Sequence, residues 1–286
     1  MVDICIIYDK VRFEEKILYD KALKDGLNVQ IVDAKTIAVE TNNKRNDLLL
    51  GDIVLQRSVS HFRGLYLTAC LEFLGFTVIN RSKVGEVCGN KLITSLKLAK
   101  HKVPTPRTYF TFSANAAKDV MNKTGYPVVL KPIVGSWGRG VFALRDEEMA
   151  NMVVEMREEN DTPLSRIYYV QEMVNRPPRD IRCIVVGENV VAAIYRYAAE
   201  NEWRTNMSKG GKAEKATITK DLEDIALKAA KAVGGGVLGV DLMEDRERGL
   251  LVHEINNTVE FRGAYHVSEV DIPGAILDYA IKVAKK

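Results

Sequence analysis

The sequence is poor in aromatic residues, at 7%, and has no internal repeat, no low-complexity tract and no apolar run long enough to span a membrane. Those absences exclude a repeat array and a membrane helix, and the 286 residues, 47% of them hydrophobic, can fill two or three small cores. Neither sign of charge dominates. Lys plus Arg total 41 against 38 acids, a formal +3 that is too mild to argue for nucleic acid but would tolerate an acidic partner. Cysteine is scarce too: Cys5, Cys70, Cys88 and Cys183 lie far apart in apolar runs with no CxxC pair, as reduced core thiols do. His61, His101, His253 and His266 are equally scattered, and no transition metal is expected on them. The apolar run between Asp3 and Asp9 is too short for a signal peptide. A soluble, cytoplasmic protein is expected.

What is present is an alternation of strand and helix. Residues 2–8 read as a buried strand, and residues 14–25 carry Ile17, Leu18 and Leu23 at helical spacing before Gly26. Further strands are predicted over 29–32, 52–56 and 76–80, with a helix over 65–74. That order predicts a small parallel α/β domain over residues 1–88. Arg57-Ser58-Val59-Ser60-His61-Phe62-Arg63-Gly64 follows the third strand, at the edge where open α/β sheets take ligands. Arg57 and Arg63 suggest an anion site there; the plainer reading is a loop entering the helix.

Gly89-Asn90-Lys91 opens a helix ending near Lys100, and Val103-Pro104-Thr105-Pro106 reads as a linker. A central domain is placed at 89–170 and a last one at 171–286, with the strand 168–174 opening the latter. In the strand 126–132, Lys131 shares a face with Val129, where an ammonium is costly unless an anion pairs with it. The mobile loop Gly135-Ser136-Trp137-Gly138-Arg139-Gly140 follows, and its amides and arginine could close over phosphates before the strand 141–144. Strand, glycine flap and strand make an antiparallel phosphate cover, not a P-loop. Two other glycine patterns fail on context. Gly234-Gly235-Gly236-Val237-Leu238-Gly239 satisfies G-x-G-x-x-G but runs from helix to strand, the reverse of a dinucleotide fingerprint. Val134 stands where a nucleophile elbow needs glycine.

In the last part, Asp180 and Arg182 share a face of the strand 180–186, and the strand 190–195 leads into Arg196. The polar run Asn201-Glu202-Trp203-Arg204-Thr205-Asn206, then Lys209-Gly210-Gly211, could wall a carboxylate site or be a solvated surface loop. Residues 236–263 read as a β-hairpin turning at 244–249. Alternation puts Asp241 on one strand against Glu254 and Asn256 on the next, with His253 pointing away from Glu254. Two carboxylates so close in an apolar setting need a cation, and with an amide carbonyl they form an all-oxygen set suited to Mg²⁺. The alternative is a solvated hairpin face.

Lys91 opening a helix, Lys131 before Pro132, the flap GSWGRG, the segment QEMV and the set Asp241, Glu254, Asn256 together resemble the RimK-like ATP-grasp ligases. RSVSHFRGL, VCGNK, RDIRC, NEWRTN and HEINNTVEFRG resemble the LysX/ArgX group within them. The resemblance implies an α/β (α+β) ATP-grasp fold of three domains, with ATP between the central and last. It puts adenine at Gln171, Glu172, Met173 and Val174, and phosphates at Lys91, Lys131 and the flap residues Gly135, Ser136, Trp137, Gly138, Arg139 and Gly140. Asp180 would hold the ribose side with Arg182 nearby, and Mg²⁺ would sit on Asp241, Glu254 and Asn256. Arg196 and Asn206 would hold carboxylates and the oxyanion of acyl transfer.

The same resemblance implies a carboxylate–amine ligase of lysine or arginine biosynthesis. Its carboxylate would be the side chain of the C-terminal glutamate of a small acidic LysW-type carrier protein, and its amine that of α-aminoadipate or glutamate. The amino acid would rest on Glu260, Phe261, Arg262, Gly263 and Ala264. In that group Asn and a small residue at the last two positions go with aminoadipate, and Gly-Phe with glutamate. Gly263-Ala264 is half of each, and its small second residue favours the longer substrate. One methylene discriminates by only ~1–3 kcal/mol, so dual use is open. A homotetramer is also implied. The competing readings are a RimK-like or coenzyme glutamate ligase and a non-catalytic nucleotide-binding module.

Overall fold

The computed structural model describes residues 2–42, 48–160, 162–200, 202–205 and 211–285. The expected alternation appears first as a four-stranded parallel sheet in the order β2-β1-β3-β4. Its strands are β1 (Asp3–Tyr8), β2 (Asn28–Asp33), β3 (Ile53–Gln56) and β4 (Val78–Ile79). Odd and even residues of β1 explain the layering. Ile4 and Ile6 pack with Leu18 and Ala22 of α1 (Phe13–Lys24), while Cys5 and Ile7 pack with Leu71 of α2 (His61–Phe73). A strand buried on both faces needs a helix on each, which is why its run is continuously apolar. Helix α2 starts at His61, earlier than the expected residue 65, so part of the polar edge segment is helical. Helix α3 (Ser82–Cys88), absent from the sequence reading, is too short to show a 3.6-residue period.

Helix α4 (Lys91–Lys100) starts where expected, because the Asn90 side chain accepts from the Leu92 and Ile93 amides. The second sheet, β5-β8-β6-β7, is antiparallel. It contains β5 (Thr108–Thr111), β6 (Val128–Lys131), β7 (Phe142–Leu144) and β8 (Tyr168–Glu172). Helices α5 (Ala114–Thr124) and α6 (Glu147–Glu158) cover it through Ala117, Met121, Ala150 and Val154. Strand β8 therefore pairs inside this sheet, between β5 and β6, and does not open the last one as expected. Its hydrogen-bond partners are remote in sequence, and a local pattern carries no information on them.

The third sheet runs β11-β10-β9-β12-β13. Its strands are β9 (Arg179–Val186), β10 (Asn189–Tyr197), β11 (Lys212–Lys215), β12 (Val237–Asp245) and β13 (Gly249–Asn256). Cys183 and Val185 face the alanine side of α7 (Lys220–Val233); Ile184 and Val186 face α9 (Ile272–Ala284). The same α9 face, Ile276, Leu277 and Ala280, shares a core with Leu18 of α1, so the C-terminal helix joins the first sheet to the third. Asn80 makes a second joint, donating to Val237 O at 2.7 Å and accepting from the Val237 amide at 2.7 Å. A Cβ on Gly236 would stand 2.0 Å from Asn80 Oδ1, so this glycine serves a close approach and not a nucleotide. No helix among the described residues is long and apolar enough to cross a membrane, and the four cysteines are free.

Candidate active site

Four neighbouring strands, in the order β10-β9-β12-β13, bring the charged residues into one row. On β9 Asp180 lies opposite Arg196 of β10, and Arg182 lies opposite Asp241 of β12, which in turn lies opposite Glu254 of β13. Arg196 grips Asp180 through two bonds of 2.7 Å and reaches Asp241 at 2.9 Å. Arg182 grips Asp241 through two more of 2.7 Å. Asp180 and Asp241 are 1% and 2% exposed. Burial alone would raise both carboxyls, but the arginines outweigh it and hold both below the usual carboxylate range. Burial likewise works against the Arg196 charge, and Asp241 and Asp180 raise its guanidinium above its ordinary value.

Asp180 is thus beneath Arg196, with Thr205 also donating to it, and its oxygens are turned to protein partners. Arg196 and Asp241 reach the cavity surface; Asn206 lies outside the described residues. Asn256 comes to 3.4 Å from Asp241 Oδ2, and Glu254 to 3.8 Å from Lys91 Nζ. Among the described residues no three His, Cys, Asp or Glu converge as a metal site. The set has two carboxylates with an amide as third donor, and that all-oxygen chemistry fits a hard divalent cation. Two arginines currently neutralise Asp241.

His253 does not turn away from Glu254. The register steps from Asp241↔Glu254 to Leu242↔Val252, so His253 is the extra residue of a β-bulge and lines the same cavity as Glu254. A bulge sets two residues against one, which breaks the alternation assumed from sequence.

The row forms the wall of two adjoining cavities. The larger, about 730 Å³, also meets the first α/β unit at Ser58, after β3, and His61, at the start of α2, and the segment at Glu260, Arg262 and Gly263. The smaller, about 80 Å³, is basic, with Lys91, Lys131, Arg176 and Arg204 on its lining. Gly135, Ser136 and Trp137 of the flap touch both, while Gly138 and Arg139 line the smaller. Lys91 donates to Gly135 O at 2.7 Å and Arg204 to Gly138 O at 3.2 Å, so cations hold the flap by its carbonyls. Lys131 donates to Gln171 at 2.8 Å. Burial pushes its ammonium down to about 8, against a smaller upward pull from Glu254. It is a buried cation whose partner is an amide, with no full counter-charge at contact. Glu172, Met173 and Val174 stand outside both linings; Glu172 binds Arg248 at 2.7 Å.

Phe261 and Ala264 are fully buried in the core behind the larger cavity, leaving Glu260, Arg262 and Gly263 on its wall. The anion site expected at Arg57 and Arg63 is a protein ion-pair network instead. Arg57 is buried on Glu15 at 3.1 Å and Val259 O at 3.0 Å, and Arg63 binds Asp9 at 2.7 Å. Glu14, missed from sequence, accepts from the Phe261 and Arg262 amides at 3.1 and 3.0 Å and so anchors the segment. A signal existed: Glu14 and Glu15 precede Leu18 by one helical turn and therefore share its buried face.

Comparison with known proteins adds to this geometry. Residues 88–280 match the family model of the RimK-like ATP-grasp domain, and residues 4–87 that of the LysX preATP-grasp domain. The alpha-aminoadipate–LysW ligase LysX of Saccharolobus solfataricus is 38% identical over 96% of this chain and 99% of its own. The glutamate–LysW ligase ArgX of Sulfolobus acidocaldarius is 31% identical over 96% and 97%. The crystal structure of a RimK-domain ATP-grasp protein from Sphaerobacter thermophilus superposes with a TM-score of 0.80 at 22% identity, covering 98% of this chain and 99% of that one.

Proposed function

Because the chain belongs to the RimK-like ATP-grasp family and is an ATP-dependent ligase, we propose that it joins the amino group of α-aminoadipate to the C-terminal glutamate side chain of a LysW-type carrier protein in the cytoplasm. The observation that carries the chemistry is the flap, which parts a small basic cavity from a large one while Arg196, Asp241 and Glu254 wall both. Triphosphate belongs on the basic side and the two organic substrates on the other. The carrier and the amino acid rest on the names of the relatives.

The reaction takes two steps. The carrier carboxylate attacks the γ-phosphorus of ATP, releasing ADP and forming an acyl phosphate. The amine, as free base, then attacks the acyl carbon, and phosphate leaves from the tetrahedral intermediate as the amide forms. No protein nucleophile is required. Lys91 and Lys131 bind phosphate oxygens, and a phosphate at Lys131 supplies the counter-charge that its surroundings lack. The flap excludes water, which would hydrolyse the acyl phosphate. Arg196, braced by Asp180, offers fixed donors where both cavities meet, and Arg182 stands on the wall of the larger one, beside the place where the oxyanion develops. Asp241, Glu254 and Asn256 would hold Mg²⁺, which neutralises phosphate charge during in-line transfer.

The test is incubation with ATP, Mg²⁺, carrier and either amino acid, read by intact-protein mass. The expected result is a carrier heavier by one aminoadipate less one water, with sustained ADP turnover only when both substrates are present. ADP release without either substrate, or an unmodified carrier, would reject the reading.

A further inference from the structure

We propose that Glu260 is the latch of the glycine flap, a positioning residue through which the amino-acid site controls closure over the nucleotide. The proposal rests on the reading that the flap covers triphosphate, and adds which part of the protein holds it down. Trp137, at a left-handed φ of 57° and 37% exposed, donates its indole Nε1 to Glu260 Oε1 at 3.3 Å. The same oxygen accepts Arg12 Nη1 at 3.1 Å. One carboxylate atom thereby joins the flap, the last sheet's substrate segment and the first α/β unit.

The latch is built on a fixed base. Glu14 binds the two amides that follow Glu260, Arg57 binds the carbonyl that precedes it, and Glu15 holds Arg12 at 2.8 and 3.1 Å. Glu260 also lies on the wall of the large cavity beside Arg12, Arg262 and Gly263. An amino-acid substrate entering there brings a carboxylate that competes with Glu260 for the Arg12 guanidinium. Freed of that partner, Glu260 Oε1 is a stronger acceptor for Trp137, because its charge is no longer shared. The flap is then held more firmly, and nucleotide binds more tightly. Coupling of this kind is reciprocal: nucleotide must tighten the amino acid by the same factor.

Calorimetric titration of a non-hydrolysable ATP analogue with Mg²⁺, with and without saturating α-aminoadipate or glutamate, measures the coupling. In the unaltered protein one amino acid should tighten the analogue about fivefold, part of the worth of one hydrogen bond to a charged group, since the bond is strengthened and not newly made. Trp137→Phe keeps the ring but loses the donor at an exposed position, and should bring the factor to one while the analogue still binds. Glu260→Gln keeps an acceptor for Trp137 but removes the charge sensed by Arg12, with the same expected loss of coupling. The double variant should be no worse than either single one. Undiminished coupling in Trp137→Phe, or no coupling in the unaltered protein with analogue binding intact, overturns the latch and leaves the ligase reading standing. Failure of the analogue to bind at all overturns both.

Discussion

The charged row of the third sheet and the glycine flap both border the smaller, basic cavity, yet they are built in opposite ways. Asp180, Arg182, Arg196 and Asp241 sit on paired strands, and each guanidinium meets a carboxylate with two bonds of 2.7 Å. The flap spans 135–140 between β6 and β7, with Gly135, Gly138 and Gly140 at positive φ, and is tied by bonds to its carbonyls and one indole. Strands hold the groups proposed to do the chemistry; the loop forms the cover proposed to open for nucleotide. A precise array gains from rigidity and a lid does not. Substitutions in the row should therefore cost stability and turnover together, and those in the flap should cost nucleotide binding with little change in stability.

The sharpest break is Asp241→Ala. It leaves Arg182 and Arg196 without their shared counter-charge and removes a proposed Mg²⁺ ligand, so ligation should be abolished. Global stability should fall by about 3–5 kcal/mol, read by denaturant unfolding. Asp180→Asn should come next, costing about 2 kcal/mol as Arg196 loses its charged brace. Its kcat should fall about tenfold to a hundredfold while KM for ATP changes little. A rise in KM for ATP with kcat unchanged would place Asp180 at the ribose instead.

Gly138→Ala tests the other region. At φ 67° an alanine is strained by about 1 kcal/mol, so KM for ATP should rise about fivefold with the unfolding midpoint almost unmoved. A lowered midpoint would show that the flap is part of the cooperative core.

The smallest effect is a pH dependence. The Lys131 ammonium is lowered to about 8 and phosphate contact should raise it, so nucleotide binding near pH 8.5 should take up a fraction of a proton. Calorimetry in buffers of different ionisation enthalpy measures that uptake, and Lys131→Arg should remove it. The sign for stability follows from the same shift. Between about 8 and the ordinary 10.5 the unfolded chain binds more protons at this residue than the folded one, so its contribution to stability rises with pH across that window.

Much of this is legible in the amino-acid chain alone. The flap, Lys131 on its incoming strand and the pairing of Asp241 with Glu254 follow from turn chemistry and from a hairpin closed over a short turn. The network of Arg12, Glu14, Glu15 and Arg57 was not read, because its members look like ordinary surface charges until α1 is placed against residues 259–262. Phe261 and Ala264 were expected beside the substrate and are buried behind the cavity instead, since side chains at a helix start do not alternate as on a strand.

The sequence by itself determined the main elements, the pairing of Asp241 with Glu254 and the glycine loop between two strands, because each depends on neighbours close along the chain. Only the tertiary structure decided that β8 lies inside the middle sheet, that His253 is bulged toward Glu254, that arginines from β9 and β10 neutralise Asp241, and that Glu260 meets Trp137. Apart from the bulge, an irregularity within one hairpin, those contacts join residues far apart in the chain, and hydrogen-bond register between such segments leaves no periodic trace in either one.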